Sequence, residues 1–265
     1  MPIAKFDDVE IFYEVHGNGE PLILVSGYMG DHTVWSGMLD TLAKQFKVVV
    51  FDNRAIGQTK DSGNSFTIET MADDVMKLSH QLELTHPHVV GQSMGGAIVQ
   101  TLGMKYPKQI KNLVILNSVM KFSLVTHMAI NTLLGLEKLN APTDFIIDAT
   151  LPWVFSSDFL GTPGNITALK EVLASNPYPQ STENKKRQLA AIDLFDSQKW
   201  VHKIEAEAMI IGSENDVLTP LAENRALANQ ISHAVFKTVP GGHASLVEQP
   251  EKLNKEILAF LTLRP

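Results

Sequence analysis

The sequence predicts an α/β fold: a doubly wound, mostly parallel sheet flanked by helices, with an inserted helical lid. Three observations carry that reading. Short, nearly continuous apolar runs at 22–25, 48–51, 89–90, 113–116 and 209–211 have the pattern of strands buried on both faces. Segments with apolar residues at helical spacing separate them. The alternation lapses once, between about residues 119 and 200, where helical fragments and Pro142, Pro152, Pro163, Pro177 and Pro179 occur without a buried strand. A stretch that long exceeds an ordinary connection and has the character of a lid or binding element.

In chain order, Val9, Ile11, Tyr13 and Val15 alternate with Glu10, Glu14 and His16, a strand with one wet face. Gly17-Asn18-Gly19 then supplies a turn, so an antiparallel hairpin is expected to open the fold. Trp35, Met38, Leu39, Leu42 and Phe46 form one helical stripe, and Ile68, Met71, Ala72, Val75, Leu78 and Leu82 a second. Ala97, Ile98 and Leu102 mark a third helix. The run 122–136, interrupted by Ser123, Thr126, His127, Asn131 and Thr132, is expected as a half-buried helix rather than a membrane span. After the insertion the rhythm resumes with the strand-like run 234–239 and a last helix carrying Leu253, Ile257, Phe260 and Leu261. The expected division is a core of 1–118 and 201–265, with 119–200 as an inserted cap.

Composition narrows the chemistry. The 265 residues include no cysteine, which excludes disulfides, a thiol nucleophile and thiolate metal sites. A hydrophobic fraction of 44% against 19% charged residues describes a chain able to bury a sizeable core. The net charge of −7, with no basic run longer than Lys185-Lys186-Arg187, argues against nucleic acid or anionic membrane as partner and favours a small molecule. Asp7, Asp8 and Glu10 stand where a secretory signal would need an apolar core, so a cytoplasmic location is expected.

The strongest local signal is Val89-Val90-Gly91-Gln92-Ser93-Met94-Gly95-Gly96, a G-x-S-x-G pattern between a buried strand and an amphipathic helix. There the chain must turn sharply, the glycines allow strand and helix to approach, and the serine hydroxyl is left projecting above the sheet. The competing interpretation is a turn serine capping the next helix. A nucleophilic serine needs a neutral imidazole within reach and a carboxylate that sets its tautomer. His243, in Pro240-Gly241-Gly242-His243-Ala244, follows the run 234–239 in what the glycines suggest is an open, mobile loop at a strand end, where ligands bind in open α/β folds. For the acid, Asp216 lies past the run 209–211, with Glu214 as its competitor.

These motifs, in the order serine, acid, histidine, resemble those of the α/β-hydrolase superfamily over essentially the whole chain. Phe51-Asp52-Asn53-Arg54-Ala55-Ile56-Gly57-Gln58-Thr59 is similar to the family's D-x-R-G-x-G-x-S segment, with Ala55 and Thr59 as departures. The family's alternative acid position, after the run 113–116, holds Asn117-Ser118 here, which adds weight to Asp216. The resemblance implies an oxyanion hole made by the backbone N–H groups of Met94 and of Tyr28, with Met29 as an alternative, in the loop Ser26-Gly27-Tyr28-Met29-Gly30. Ser26 stands there where histidine is usual. Serine at the elbow also distinguishes the chain from relatives that use aspartate.

The implied activity is a serine esterase without metal or cofactor, cleaving a carboxylic ester of a small, partly apolar substrate through an acyl-enzyme. A lactone or a carbon-carbon bond could be cleaved with the same residues, and a non-catalytic ligand receptor is the reading from another class. His86 and His88 are read as polar residues at a strand entrance rather than a metal pair, and Lys185-Lys186-Arg187 as a solvated helix face. Met120, Phe122, Leu124, Met128, Leu133, Leu134, Trp153, Phe155 and Phe159 make the insertion apolar, a minority of them expected to line an acyl pocket.

Overall fold

The protein, seen in a computed structural model that describes residues 2–262, is built on one mixed sheet. In chain order the strands are β1 (Ile3–Phe6), β2 (Val9–His16), β3 (Glu20–Val25), β4 (Phe46–Phe51), β5 (Lys60–Asp61), β6 (His88–Gln92), β7 (Asn112–Leu116), β8 (Glu207–Ser213) and β9 (Ala234–Val239). The spatial order is β1-β2-β4-β3-β6-β7-β8-β9, with β5 paired to β2. From β4 onward every neighbouring pair is parallel, while β1, β2 and β5 pair antiparallel at one end. Both faces of the parallel strands are covered, so Ile23, Val89 and Ile115 look into one apolar layer and Leu24, Val90 and Leu116 into the other.

Helices α1 (Ser36–Leu42), α2 (Ile68–Gln81) and α3 (Met94–Lys105) follow β3, β5 and β6, with a 3-10 turn at His32–Trp35 before α1. Five helices fill the interval between β7 and β8: α4 (Leu124–Lys138), α5 (Thr143–Val154), α6 (Ser157–Gly161), α7 (Asn165–Ala174) and α8 (Thr182–Leu194). Helices α9 (Leu221–Gln230), α10 (Ser245–Glu248) and α11 (Pro250–Thr262) complete the chain. The α2 stripe at Ile68, Met71, Ala72, Val75 and Leu78 is buried as its spacing requires, and Thr67 caps the helix through a reciprocal bond pair with Thr70. No helix among the described residues is long and apolar enough to cross a membrane.

Three expectations are corrected. The opening hairpin joins β1 and β2, not β2 and β3: β4 lies between those two, and the glycines of the 17–19 turn serve close approach. A Cβ on Gly17 would sit 2.1 Å from the carbonyl oxygen of Ala43, and one on Gly19 2.4 Å from that of Gln45. Phe46 begins β4 rather than ending the first helix, because Ala43 to Gln45 already turn the chain. Of the basic run, only Lys186 faces solvent; Lys185 pairs with Glu137, and Arg187 bonds Asp61 at 2.7 Å and lies 5.0 Å over the Phe66 ring.

Candidate active site

The carboxyl ends of β6, β8 and β9 bring the sequence-selected residues to one edge of the sheet. Ser93 directly follows β6 with φ 56° and ψ −117°, a positive-φ conformation that β-carbon sterics disfavour and that only a tightly packed surrounding maintains. That surrounding is made of glycines. A Cβ on Gly95 would lie 2.1 Å from the Val25 carbonyl oxygen, one on Gly91 2.3 Å from that of Gly95, and one on Gly96 2.4 Å from Ser118 Cβ. The Ser93 N–H donates to Leu116 O and its carbonyl accepts from Ser118 Oγ, so both sides of the elbow are tied to β7 and its extension. Ser93 does not cap α3 with its side chain. Its hydroxyl lies 2.9 Å from His243 Nε2.

His243 Nδ1 lies 2.7 Å from Asp216 Oδ2, and the Asp216 side chain is fully buried. Its carboxylate accepts from the backbone N–H of Leu218 at 2.9 Å and of Thr219 at 2.8 Å, and from Thr219 Oγ1 at 2.6 Å. A carboxylate can only accept, so Nδ1 carries the imidazole proton and Nε2 is left to accept from the serine hydroxyl. Glu214, one turn of chain away, is exposed. Geometry thus separates the two candidate acids where spacing did not.

Several further side chains hold the elbow and the histidine loop together. Asn117, at φ 44° in the family's alternative acid position, donates from Nδ2 to His243 O and Ser245 Oγ, both at 2.9 Å, and accepts from Ser213 N–H at 2.9 Å. One amide thereby joins β7, β8 and the histidine loop. Gln92 Nε2 also donates to His243 O, at 3.1 Å. The histidine loop is closely bonded rather than sterically open: Glu248 accepts from Gly242 N–H at 2.9 Å and from Ser156 N–H at 3.0 Å, and Ala244 N–H donates to Val154 O. Gly242 is needed for contact, since a Cβ there would sit 2.7 Å from Ser156 N. Thr219 stands three residues after Asp216, a spacing from which its N–H and hydroxyl can both reach the carboxylate.

The loop after β3 passes close above the elbow; a Cβ on Gly27 would meet Gln92 Oε1 at 2.5 Å and Ser93 Cβ at 3.1 Å. Ser26, in place of the usual histidine, accepts from Trp35 Nε1 at 3.0 Å and donates to Asp31 O at 3.1 Å. Met29 N–H is engaged by Gln188 Oε1 at 3.2 Å, whereas Tyr28 N–H has no acceptor among the described residues. Met94 N–H, first in α3, has no intrahelical partner and lies at the positive end of the helix dipole. The Tyr28 ring packs on Ile130, Leu134 and Leu189 of α4 and α8; burial, with Glu137 and Asp193 nearby, pushes its hydroxyl pKa well above the usual value.

Other titratable clusters are self-contained. Asp31, His32 and Asp52 bring ligand atoms within 4.8 Å of one another, but Asp52 already accepts from His32 N–H, His32 Nδ1 and Gln58 N–H, and Asp31 from Thr33. That set organises the turn after β4 rather than presenting open ligands. His86 is exposed at φ 49° while His88 is buried against Glu20 at 3.0 Å, so the two do not converge.

A doubly wound sheet with a serine at a strand-helix elbow, facing a histidine and an aspartate from later strand ends, is the architecture of α/β-hydrolases. The chain belongs to that family: the model described as alpha/beta hydrolase fold matches residues 20–250. The chain is 28% identical over 258 residues to the "Putative carbamate hydrolase RutD" of Caulobacter sp. (strain K31), covering 95% of this chain and 96% of the relative. In structure it is similar to the enol-lactonase from Burkholderia xenovorans LB400, with TM-score 0.84 and 23% identity, covering 98% of this chain and 100% of the other. It is also similar to a thermophilic esterase from Thermogutta terrifontis, with TM-score 0.85, 24% identity and 98% coverage of both chains. At these identities the structural likeness concerns the fold alone.

Proposed function

We propose that the protein is a serine hydrolase that cleaves a carboxylic ester of a small, partly apolar substrate, with residues 119–200 acting as a lid. The observation that carries this reading is the continuous chain Ser93 Oγ, His243 Nε2, His243 Nδ1, Asp216 Oδ2, with contacts of 2.9 and 2.7 Å. Ser93 Oγ attacks the ester carbonyl carbon as its proton passes to His243 Nε2. Asp216 holds the tautomer and stabilises the imidazolium that forms. The carbonyl oxygen takes up negative charge facing the N–H groups of Met94 and Tyr28 and the N-terminus of α3. Collapse of the tetrahedral species breaks the carbon-oxygen bond, and His243 returns the proton to the leaving alkoxide. Water then attacks the acyl-enzyme by the same route, releasing the acid and restoring Ser93.

A carbamate is the second reading, favoured by the RutD relatives. It calls for the same attack, with an amine or ammonia as one of the groups released. A fluorophosphonate probe is expected to label the wild type and to fail on Ser93→Ala, whose kcat/KM falls by about 10⁶-fold if the serine is the nucleophile. Absence of labelling in a folded wild type would sink the hydrolase reading. Relative kcat/KM on acyl esters, lactones, diketones and carbamates then ranks the substrates, and a carbamate ahead of every ester would replace the first reading by the second.

A further inference from the structure

The residues Gly27-Tyr28-Met29-Gly30 form a four-residue turn closed by Gly30 N–H donating to Gly27 O at 3.2 Å, with Met29 at φ 61°. A positive φ at the third position is the signature of a type II turn, which favours glycine there. Methionine in that place is strained, and the ordinary relief is a flip of the Tyr28–Met29 peptide to type I. A side chain from the helical insertion opposes that flip. Gln188 of α8, fully buried, accepts from Met29 N–H at 3.2 Å with Oε1 and donates from Nε2 to Arg54 O at 2.8 Å. Its second partner is itself fixed, because Arg54 is buried between Asp74 and Asp8. Gln188 is thus a two-point clamp between the loop over Ser93 and a rigid part of the core.

We propose that Gln188 is a positioning residue of the reaction, through which the insertion holds the Tyr28–Met29 peptide in its strained turn and so stiffens the loop that carries Tyr28 N–H beside Ser93. This rests on the serine hydrolase reading above. The insertion then acts on the transition state and not only on substrate access. Arg187, the neighbour of Gln188, reinforces the attachment by bonding Asp61, whose other carboxylate oxygen accepts from Ala55 N–H at 3.0 Å.

The test measures p-nitrophenyl butyrate turnover, fluorophosphonate labelling rate and the affinity of an acyl trifluoromethyl ketone, whose adduct with a serine places an oxyanion in the hole. Gln188→Met is expected to lower kcat and the labelling rate by about tenfold, less than the complete loss of one oxyanion donor, with KM within about twofold. The ketone should weaken in parallel with kcat. In a Met29→Gly background, where the positive φ carries no strain, the same substitution should cost less than about threefold. If Gln188→Met does not fold, Gln188→Asn, too short to reach both partners, takes its place with the same expectations. An unchanged kcat, a loss seen only in KM, or an equal loss in the Met29→Gly background overturns the proposal. A wild type that turns over the ester and labels, with Gln188 variants that label as fast, overturns this inference alone; a wild type that does not label overturns the hydrolase reading and this one with it.

Discussion

The sheet and the helical insertion differ in how much of their attachment is apolar. In the sheet and its flanking helices the attachments are apolar: Leu22, Ile23, Leu24, Val89, Val90 and Val114 have no exposed surface. In the insertion, α6 and α7 bury no residue, and Leu124, Leu139 and Val172 are exposed by 73%, 78% and 67%. The insertion reaches the main core through Val119, Phe122, Ala191, Ile192 and Phe195 and is fastened as well by polar bonds, some ending on the loops that carry the site and others on the turn after β4. Thr126 Oγ1 donates to Leu218 O beside Asp216, Gln180 to Ala55 O, Gln188 to Arg54 O, and Ser156 shares Glu248 with the histidine loop. Apolar burial makes the core stable, at roughly 25 cal/mol per Å² removed from water. The polar fastenings contribute about 1 kcal/mol each and are directional, so they set geometry more than stability.

The contrast can be broken or sharpened by substitution, beginning with the largest effect. Within the core edge, Asp216→Asn should reduce kcat/KM by about 10⁴-fold with little change in Tm, whereas Glu214→Gln stays within about twofold. A profile in which Glu214 proves the essential acid would reverse the assignment. Gly96→Val, which forces a side chain into Ser118 and Ile115, should lower stability by about 2–4 kcal/mol in denaturant melts. Val172→Ser on α7 should change it by less than about 0.5 kcal/mol, and an equal loss from both would show that the insertion is packed like the core.

Removing a polar fastening should loosen the insertion alone. Arg187→Ala leaves the Asp61 carboxylate, 4% exposed, without its guanidinium. Amide exchange in α8 should rise by about tenfold or more while exchange in β6 and β7 is unchanged. Uniform acceleration through the sheet would contradict a separable insertion. The smallest effect is electrostatic. Burial opposes the charged form of His32, but its hydrogen bond to Asp52 and the charges of Asp52, Asp31 and Glu14 outweigh burial and raise its pKa above 6.5. The folded state therefore holds this proton more tightly than the unfolded chain. Its contribution to stability is complete below pH 6.5 and disappears as the pH rises through the raised value. Tm should fall across that window, and His32→Gln should flatten this component.

Much of the core was legible because its signals are local. Buried parallel strands need continuous apolar runs, helices need their stripe, and an elbow with a positive-φ serine needs small neighbours, so Gly91, Ser93, Gly95 and Gly96 identify themselves. The β1–β2 hairpin was misplaced because turn residues do not say which strand will lie alongside. The Gly241-Gly242 pair suggested a sterically open loop, but these glycines permit contact with Ser156 and Glu248.

By itself, then, the sequence determined the fold class, the nucleophile candidate and the order of the residues that would serve it, since periodicity and short motifs depend on near neighbours. Only the tertiary structure decided that Asp216 rather than Glu214 faces His243, that Asn117 braces the histidine loop from 126 positions away, and that Gln188 holds Met29 across 159. Those choices rest on the direction of single hydrogen bonds between distant segments. A hydrogen bond a few tenths of an ångström too long or wrongly aimed is lost, and no pattern in the linear chain records that alignment.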